Sequence, residues 1–255
     1  MRDLTDSQLE RYARHIVLHE LGGPGQQRLL AARVGLIGAG GIGSPAALYL
    51  AAAGVGHLRI IDDDRVDLSN LQRQVLHATS DIDRPKIESA RDRIAALNPD
   101  VRTEGIATRL SAGNAAGLLS GLDLVIDGSD SFATRLAVND ACITLGLPLV
   151  SAALGPFEGQ LAVFRGHEDD QPCYRCFLGE EPPAGSDRSC AEIGILGAVA
   201  GVMGSWAALE AIREICGIGD SLAGRMLLLD ARQPGTRTIR IPKDPACPAC
   251  SQPAG

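Results

Sequence analysis

Residues 33–53 read Arg-Val-Gly-Leu-Ile-Gly-Ala-Gly-Gly-Ile-Gly-Ser-Pro-Ala-Ala-Leu-Tyr-Leu-Ala-Ala-Ala, and no other stretch restricts the fold as severely. A short apolar run, 33–37, enters the turn Gly38-Ala39-Gly40-Gly41-Ile42-Gly43, and an Ala/Leu-rich helical stretch, 44–53, leaves it. Strand, glycine turn and helix in that order open a parallel βαβ unit. The next strand, 58–61, closes on Asp62-Asp63-Asp64. A helix over 85–97 starts beside Pro85, a weaker strand covers 101–106, and a strongly apolar strand over 122–126 ends at Asp127. A helix over 131–145 and a short strand over 148–152 complete the alternation, which predicts an α/β fold with a doubly wound, mostly parallel, Rossmann-like sheet.

The remainder has a different rhythm. Strand patterns at 159–164, 226–229 and 236–241 imply an antiparallel extension of the same sheet. The helix predicted over 194–216 is apolar almost all round at first, so it should be deeply buried. Residues 5–18 read as one helix capped by Thr5 or Asp6 and ending before Gly22-Gly23. No repeat or low-complexity linker divides the chain, and a single domain over 1–255 is expected.

Charge narrows the function. With 24 Lys+Arg against 31 Asp+Glu the formal charge is −7, and no basic run occurs, which argues against nucleic-acid or anionic-membrane binding. The uncharged stretch 34–56 contains seven glycines and a proline, and 193–209 is only 17 residues long, so neither suits a membrane span of about 20. The N-terminus lacks the apolar core of a signal peptide, and a cytoplasmic protein is expected.

Seven cysteines in such a chain do not suggest a disulfide framework. Cys173-Tyr174-Arg175-Cys176 and Cys247-Pro248-Ala249-Cys250 are two C-x₂-C pairs, the ligand spacing of a four-thiolate structural zinc site. A redox C-x₂-C would need only one of them. Cys142 and Cys216 fall in apolar helical patterns and read as inert core thiols. Cys190, two residues from Arg188 in a polar segment, reads equally well as a reactive or a structural cysteine.

Gly38, Gly40 and Gly43 let the backbone turn tightly beside phosphates, and the following helix N-terminus supplies N–H donors. Asp62, 19 residues beyond Gly43, stands where a carboxylate takes ribose hydroxyls. A glycine-rich turn used only for packing is the plainer alternative, and the turn alone leaves NAD open. The loop Asp67-Leu68-Ser69-Asn70-Leu71-Gln72-Arg73-Gln74 and Lys86 beyond it bring two cations, which suit a leaving pyrophosphate better than a dinucleotide. Asp127-Gly128-Ser129-Asp130 then offers an acid at a strand's carboxyl end, where Mg²⁺ would bridge phosphates.

In this order and spacing, these residues resemble the sulfur-carrier adenylyltransferases of the MoeB/ThiF family, relatives of the ubiquitin-activating enzymes. The resemblance runs through Arg11-Tyr12-x-Arg14, the glycine turn, residues 68–74, Arg84-Pro85-Lys86, Asp127-x-x-Asp130, Cys173-Tyr174-Arg175-Cys176, Cys190 and Cys247-x-x-Cys250. It implies ATP-dependent adenylylation of the C-terminal Gly-Gly of a ubiquitin-like carrier. Gly38, Gly40, Gly41, Gly43, Asp62 and Asp64 would then hold the nucleotide, with Asn70, Arg73 and Lys86 on its phosphates. Asp130 would ligate Mg²⁺, Arg14 would reach the ATP of the other subunit of a homodimer, and Cys190 is a candidate for a covalent carrier link.

The resemblance also divides the chain into an N-terminal helical arm, 1–30, a nucleotide-binding half, 31–152, and a carrier-binding and zinc half, 153–255. It differs at Ser131, where the family has Asn, and at His15, where it has Gln. The chain given has no rhodanese-like region, so a separate sulfurtransferase or cysteine desulfurase is expected to supply sulfur. Carriers for molybdopterin and for the thiazole of thiamine fit the residues about equally. An NAD-dependent oxidoreductase on the same turn lacks a convincing hydride-transfer site. A carrier-binding relative without chemistry should have lost some phosphate-facing residues.

Overall fold

The computed structural model describes residues 4–179 and 194–251. Side chains along the central strands alternate between two apolar sets, which gives the sheet a core on each face. Val34 and Leu36, Leu58 and Ile60, Leu124 and Ile126, and Leu161 and Val163 share one core. Ile37, Ile61, Val125, Ala162 and Phe164 belong to the other.

The strands are β1 (Arg33–Ile37), β2 (His57–Ile61), β3 (Arg102–Ile106), β4 (Leu124–Asp127), β5 (Leu149–Leu154), β6 (Glu158–Phe164), β7 (Arg225–Asp230) and β8 (Thr236–Arg240). They form one sheet in the order β3-β2-β1-β4-β5-β6-β7-β8. β1 to β5 pair in parallel, and β5 to β8 pair antiparallel. The mixed α/β sheet and its antiparallel extension are thus as the sequence pattern predicted. The strand order reverses between β1 and β4, and ligands of open α/β sheets bind at the carboxyl ends flanking such a switch.

Two short helices meet at Tyr12 near the N-terminus. α1 (Asp6–Arg11) starts at a capping box between Thr5 and Gln8, and α2 is Ala13–Ile16. The single helix expected over 5–18 is interrupted at Tyr12, whose ring is 2% exposed and whose hydroxyl accepts from Asn98 Nδ2 at 2.9 Å. Burying that ring outweighs helix continuity. α3 (Gly22–Ala31) was not expected; its Gly-Gly-Pro start occupies the first turn, where Pro costs no helical hydrogen bond.

α4 (Gly43–Ala53) follows the glycine turn, and α5 (Lys86–Leu97) begins at the lysine itself. α6 is Ala115–Leu119, and α7 (Phe132–Leu145) is capped by Ser131, which accepts from Thr134 N at 3.4 Å. α8 is Tyr174–Leu178, and α9 (Gly197–Cys216) is the predicted long helix. Val199, Met203, Ala207 and Ala211 of α9 share a core with Ala46, Ala47 and Leu50 of α4. Among the described residues, no helix is long and apolar enough to cross a membrane.

Candidate functional site

A cleft of about 490 Å³ opens at the carboxyl ends of the parallel strands, within the range of small-molecule sites. Its walls bring together Gly38, Gly40, Gly41, Asp62, Asp64, Asn70, Arg73, Lys86 and Asp130, which lie up to 92 residues apart in sequence.

The glycines of the turn do different work. Gly38 has φ +88°, a backbone that L side chains rarely adopt, and its N–H donates to Ile61 O. Gly43 is not among the lining residues: a Cβ there would lie 1.9 Å from Gly38 O, so this glycine closes the turn on itself. Between them the Ala39 peptide is held from both ends. Its N–H donates to Asp62 Oδ2 at 2.7 Å, and its carbonyl accepts from His77 Nε2 at 3.0 Å and from Ser44 Oγ at 3.2 Å. Asp62 also accepts from Asp64 N through Oδ1 at 2.8 Å. Each oxygen keeps a lone pair for a ligand hydroxyl, but one task of Asp62 is to brace the turn.

His77 was not flagged by sequence. It is 7% exposed, and its Nδ1 lies 2.8 Å from Ser89 Oγ on α5, one turn beyond Lys86. Burial holds this imidazole below its ordinary range; the Ala39 carbonyl opposes that shift, and the Lys86 charge adds to it. The Nε2–H tautomer donates to Ala39. Ser89 Oγ, also 2.9 Å from Asp81 Oδ2, then has one proton to share between His77 and that carboxylate.

Lys86 is 4% exposed, an uncommon state for lysine. Its Nζ donates to Asp64 Oδ2 at 2.9 Å, and its backbone N–H donates to Asp64 O at 3.0 Å. Asn70 Oδ1, also lining the cleft, accepts from Gln74 Nε2 at 2.8 Å and from Arg73 Nη2 at 3.3 Å, which aims the guanidinium. Gln74 Oε1 is buried without a hydrogen-bond partner, an acceptor the sequence reading overlooked. Arg109, just beyond β3, also lines the cleft, with its Nε 3.1 Å from Asp63 Oδ2. Its place after a parallel strand was the available signal.

Asp130 is exposed on the β4–α7 loop and lines the cleft beside Ser131. Ser131 replaces the family's amide with a hydroxyl that caps α7. Arg14 lies exposed on α2 and is not among the lining residues. Cys190 lies outside the described residues.

Away from the cleft, Cys173, Cys176, Cys247 and Cys250 bring their sulfurs within 4.8 Å of one another. Sγ separations are 4.0 Å for Cys173–Cys176, 3.7 Å for Cys173–Cys247 and 3.5 Å for Cys176–Cys250. A tetrahedral Zn²⁺ with bonds of about 2.3 Å needs sulfurs about 3.8 Å apart, so the donor set fits that ion. Burial pushes the Cys173 thiol up, so a thiolate there needs a compensating cation. Cys142 and Cys216 are buried, and burial raises both thiols, in keeping with inert core positions.

The chain is 46% identical over 249 residues to a sulfur carrier protein adenylyltransferase of Thermus thermophilus, covering 96% of this chain and 92% of that one. It is 47% identical over 254 residues to the probable adenylyltransferase/sulfurtransferase MoeZ of Mycobacterium tuberculosis, covering 98% of this chain and 64% of MoeZ. The crystal structure of Escherichia coli MccB with ATP superposes with a TM-score of 0.83 at 22% identity, over 95% of this chain and 75% of that one, which establishes the shared fold. The ThiF family model matches residues 12–249, from the arm to the residue before Cys250, and the chain belongs to the ThiF family.

Proposed function

We propose that the chain adenylylates the C-terminal glycine of a ubiquitin-like sulfur-carrier protein, using ATP and releasing pyrophosphate. A carrier carboxylate oxygen attacks the α-phosphorus, the bond from that phosphorus to the bridging oxygen breaks, and pyrophosphate leaves with the bonding electrons. The nucleophile is already an anion, so catalysis is positioning plus charge stabilisation. One observation supports this reading most: Arg73, Lys86 and Asp130 line one cleft beside the Gly38–Gly43 turn. The names of the 46% and 47% identical relatives support the same chemistry.

In this reading the turn, Asp62 and Asp64 hold the nucleotide, and Asn70, Arg73 and Lys86 face its phosphates. Asp130 would hold magnesium, which neutralises phosphate charge when bound with ATP. Cys173, Cys176, Cys247 and Cys250 would hold a structural zinc ion. Arg14, exposed on the arm, would serve the ATP of the other subunit of a homodimer, and Cys190 would carry the covalent link during sulfur transfer. Residues 1–30, 31–152 and 153–255 act as arm, nucleotide half and carrier half of one domain. Sulfur comes from a separate sulfurtransferase or cysteine desulfurase, the carrier serves molybdopterin or thiamine synthesis, and the work takes place in the cytoplasm.

The test is carrier-dependent exchange of labelled pyrophosphate into ATP, with the carrier's acyl adenylate followed by intact mass. Exchange with either carrier type is expected. A folded, metal-replete sample showing none with both would overturn the reading.

A further inference from the structure

The loop bearing Asp130 is held by a buried carboxylate of its own motif and by a buried arginine outside it. Ser129 N donates to Asp127 Oδ1 at 2.9 Å, and Asp127 is 1% exposed. The Ser129 carbonyl accepts from Arg135 Nη2. Arg135 is 6% exposed and donates as well to Ala152 O at 2.8 Å and to Ser151 Oγ at 3.3 Å, both on β5. The Ser129 peptide is thus gripped at both ends, one residue before Asp130.

The same helix leads on to the cysteine cluster. Ser131, Arg135 and Asn139 follow one another at intervals of four, along one face of α7. The first caps the helix at the cleft, and the last accepts from Tyr174 N at 2.7 Å through Oδ1. Arg175 adds a two-point pair to Asp140, with Nε–Oδ1 at 2.9 Å and Nη2–Oδ2 at 2.7 Å. Tyr174, between Cys173 and Cys176, packs edge-on against Phe164 with ring centroids 5.6 Å apart. Burial raises its hydroxyl, and the neighbouring Arg135 charge draws it back. A buried guanidinium costs free energy unless its donors are occupied, and these acceptors fix its plane.

We propose that Arg135 is a positioning residue for the Asp130 loop, on a helix face that Asn139 ties to the backbone of the cysteine cluster. It touches no substrate; it sets where Asp130 stands. The nine residues from Ser131 to Asn139 span roughly 13 Å of helix, short and rigid enough to transmit a displacement of the cluster to the cleft. The inference rests on the proposed role of Asp130 toward magnesium and ATP.

The experiment uses the full chain with Arg135→Lys and Tyr174→Phe. Magnesium-dependent ATP binding is titrated in each, beside zinc content and melting temperature. Tyr174→Phe keeps the ring and removes one hydroxyl, so it should fold and keep its metal. It removes none of the bonds from Arg135 to Ser129, Ala152 and Ser151, so its magnesium dependence should stay within twofold of wild type. Arg135→Lys keeps the charge and loses the fork, with a rise of about tenfold or more. A purely structural role would lower the melting temperature without moving magnesium dependence. Magnesium curves within twofold of wild type in the folded Arg135→Lys protein would overturn the positioning role, as would an equal shift in Tyr174→Phe. A folded wild-type protein that binds no magnesium–ATP would overturn the underlying reading of Asp130, and this inference with it.

Discussion

The ammonium of Lys86 lies 2.9 Å from Asp64 Oδ2, but the two ends of the pair are unequally wet: the lysine side chain is 5% exposed and the aspartate 59%. Asp64 therefore contributes little to stability and acts mainly to aim a desolvated cation into the cleft. Lys86→Gln should lower pyrophosphate exchange about 10²- to 10³-fold, as when one stabilising donor is removed from a transition state. Asp64→Asn should cost less, about tenfold, mostly in KM for ATP, with the melting temperature little changed. Steady-state exchange at saturating carrier measures both.

Gly40 and Gly43 should separate folding from binding. A Cβ at Gly40 meets nothing closer than Gln74 Nε2 at 3.7 Å, whereas at Gly43 it collides with the Gly38 carbonyl. Gly40→Ala should fold with a near-normal melting temperature and bind ATP more weakly, because it lines the cleft. Gly43→Ala should lose several degrees and its nucleotide affinity together. Thermal melts with and without ATP distinguish the two outcomes.

His77 gives a pH dependence with a definite sign. Its folded-state pKa lies below the ordinary imidazole value, so between the two the unfolded chain binds more protons. Stability from this group is complete above about pH 6.5 and declines as pH falls toward the lower folded value. His57 and His167 are shifted the same way, and burial is again the leading cause. The melting temperature should fall from about pH 7 to about pH 5.5, and His77→Gln should flatten part of that slope. Equal slopes in both proteins would contradict the assignment.

Metal removal should act on the fold before it acts on chemistry. One zinc ion per chain is expected by elemental analysis. Cys250→Ser should lose it and lower the melting temperature, because metal binding there is folding free energy. Cys176 and Cys250 are the less buried pair, so thiol reagents should reach them first.

Much of the scaffold was legible from local pattern. β1 was predicted at its observed bounds, and the strands around Ile60, Ile126 and Val163 were legible because runs of branched residues suit a sheet buried on both faces. α3 was not, because Gly22, Gly23 and Pro24 read as a break. The split at Tyr12 depends on Asn98, 86 residues away, which no local pattern reports. The same holds in the cleft. Arg73, Lys86 and Asp130 stood out as charges in motifs, whereas Gln74 closes one of those motifs without a charge to mark it, and His77 and Arg135 sit in ordinary polar or helical stretches. Their functions are defined by partners on other elements: Ala39 for His77, Ala152 for Arg135.

The Ala39 peptide, secured by Asp62 on one side and by His77 and Ser44 on the other, cannot rotate without breaking contacts to the residue after β2, to the loop before α5 and to α4 together. Conformational freedom at this bend is surrendered when the polypeptide folds, not when a guest arrives. An incoming triphosphate meets a receptor already in shape, and it can leave without melting the bend that received it.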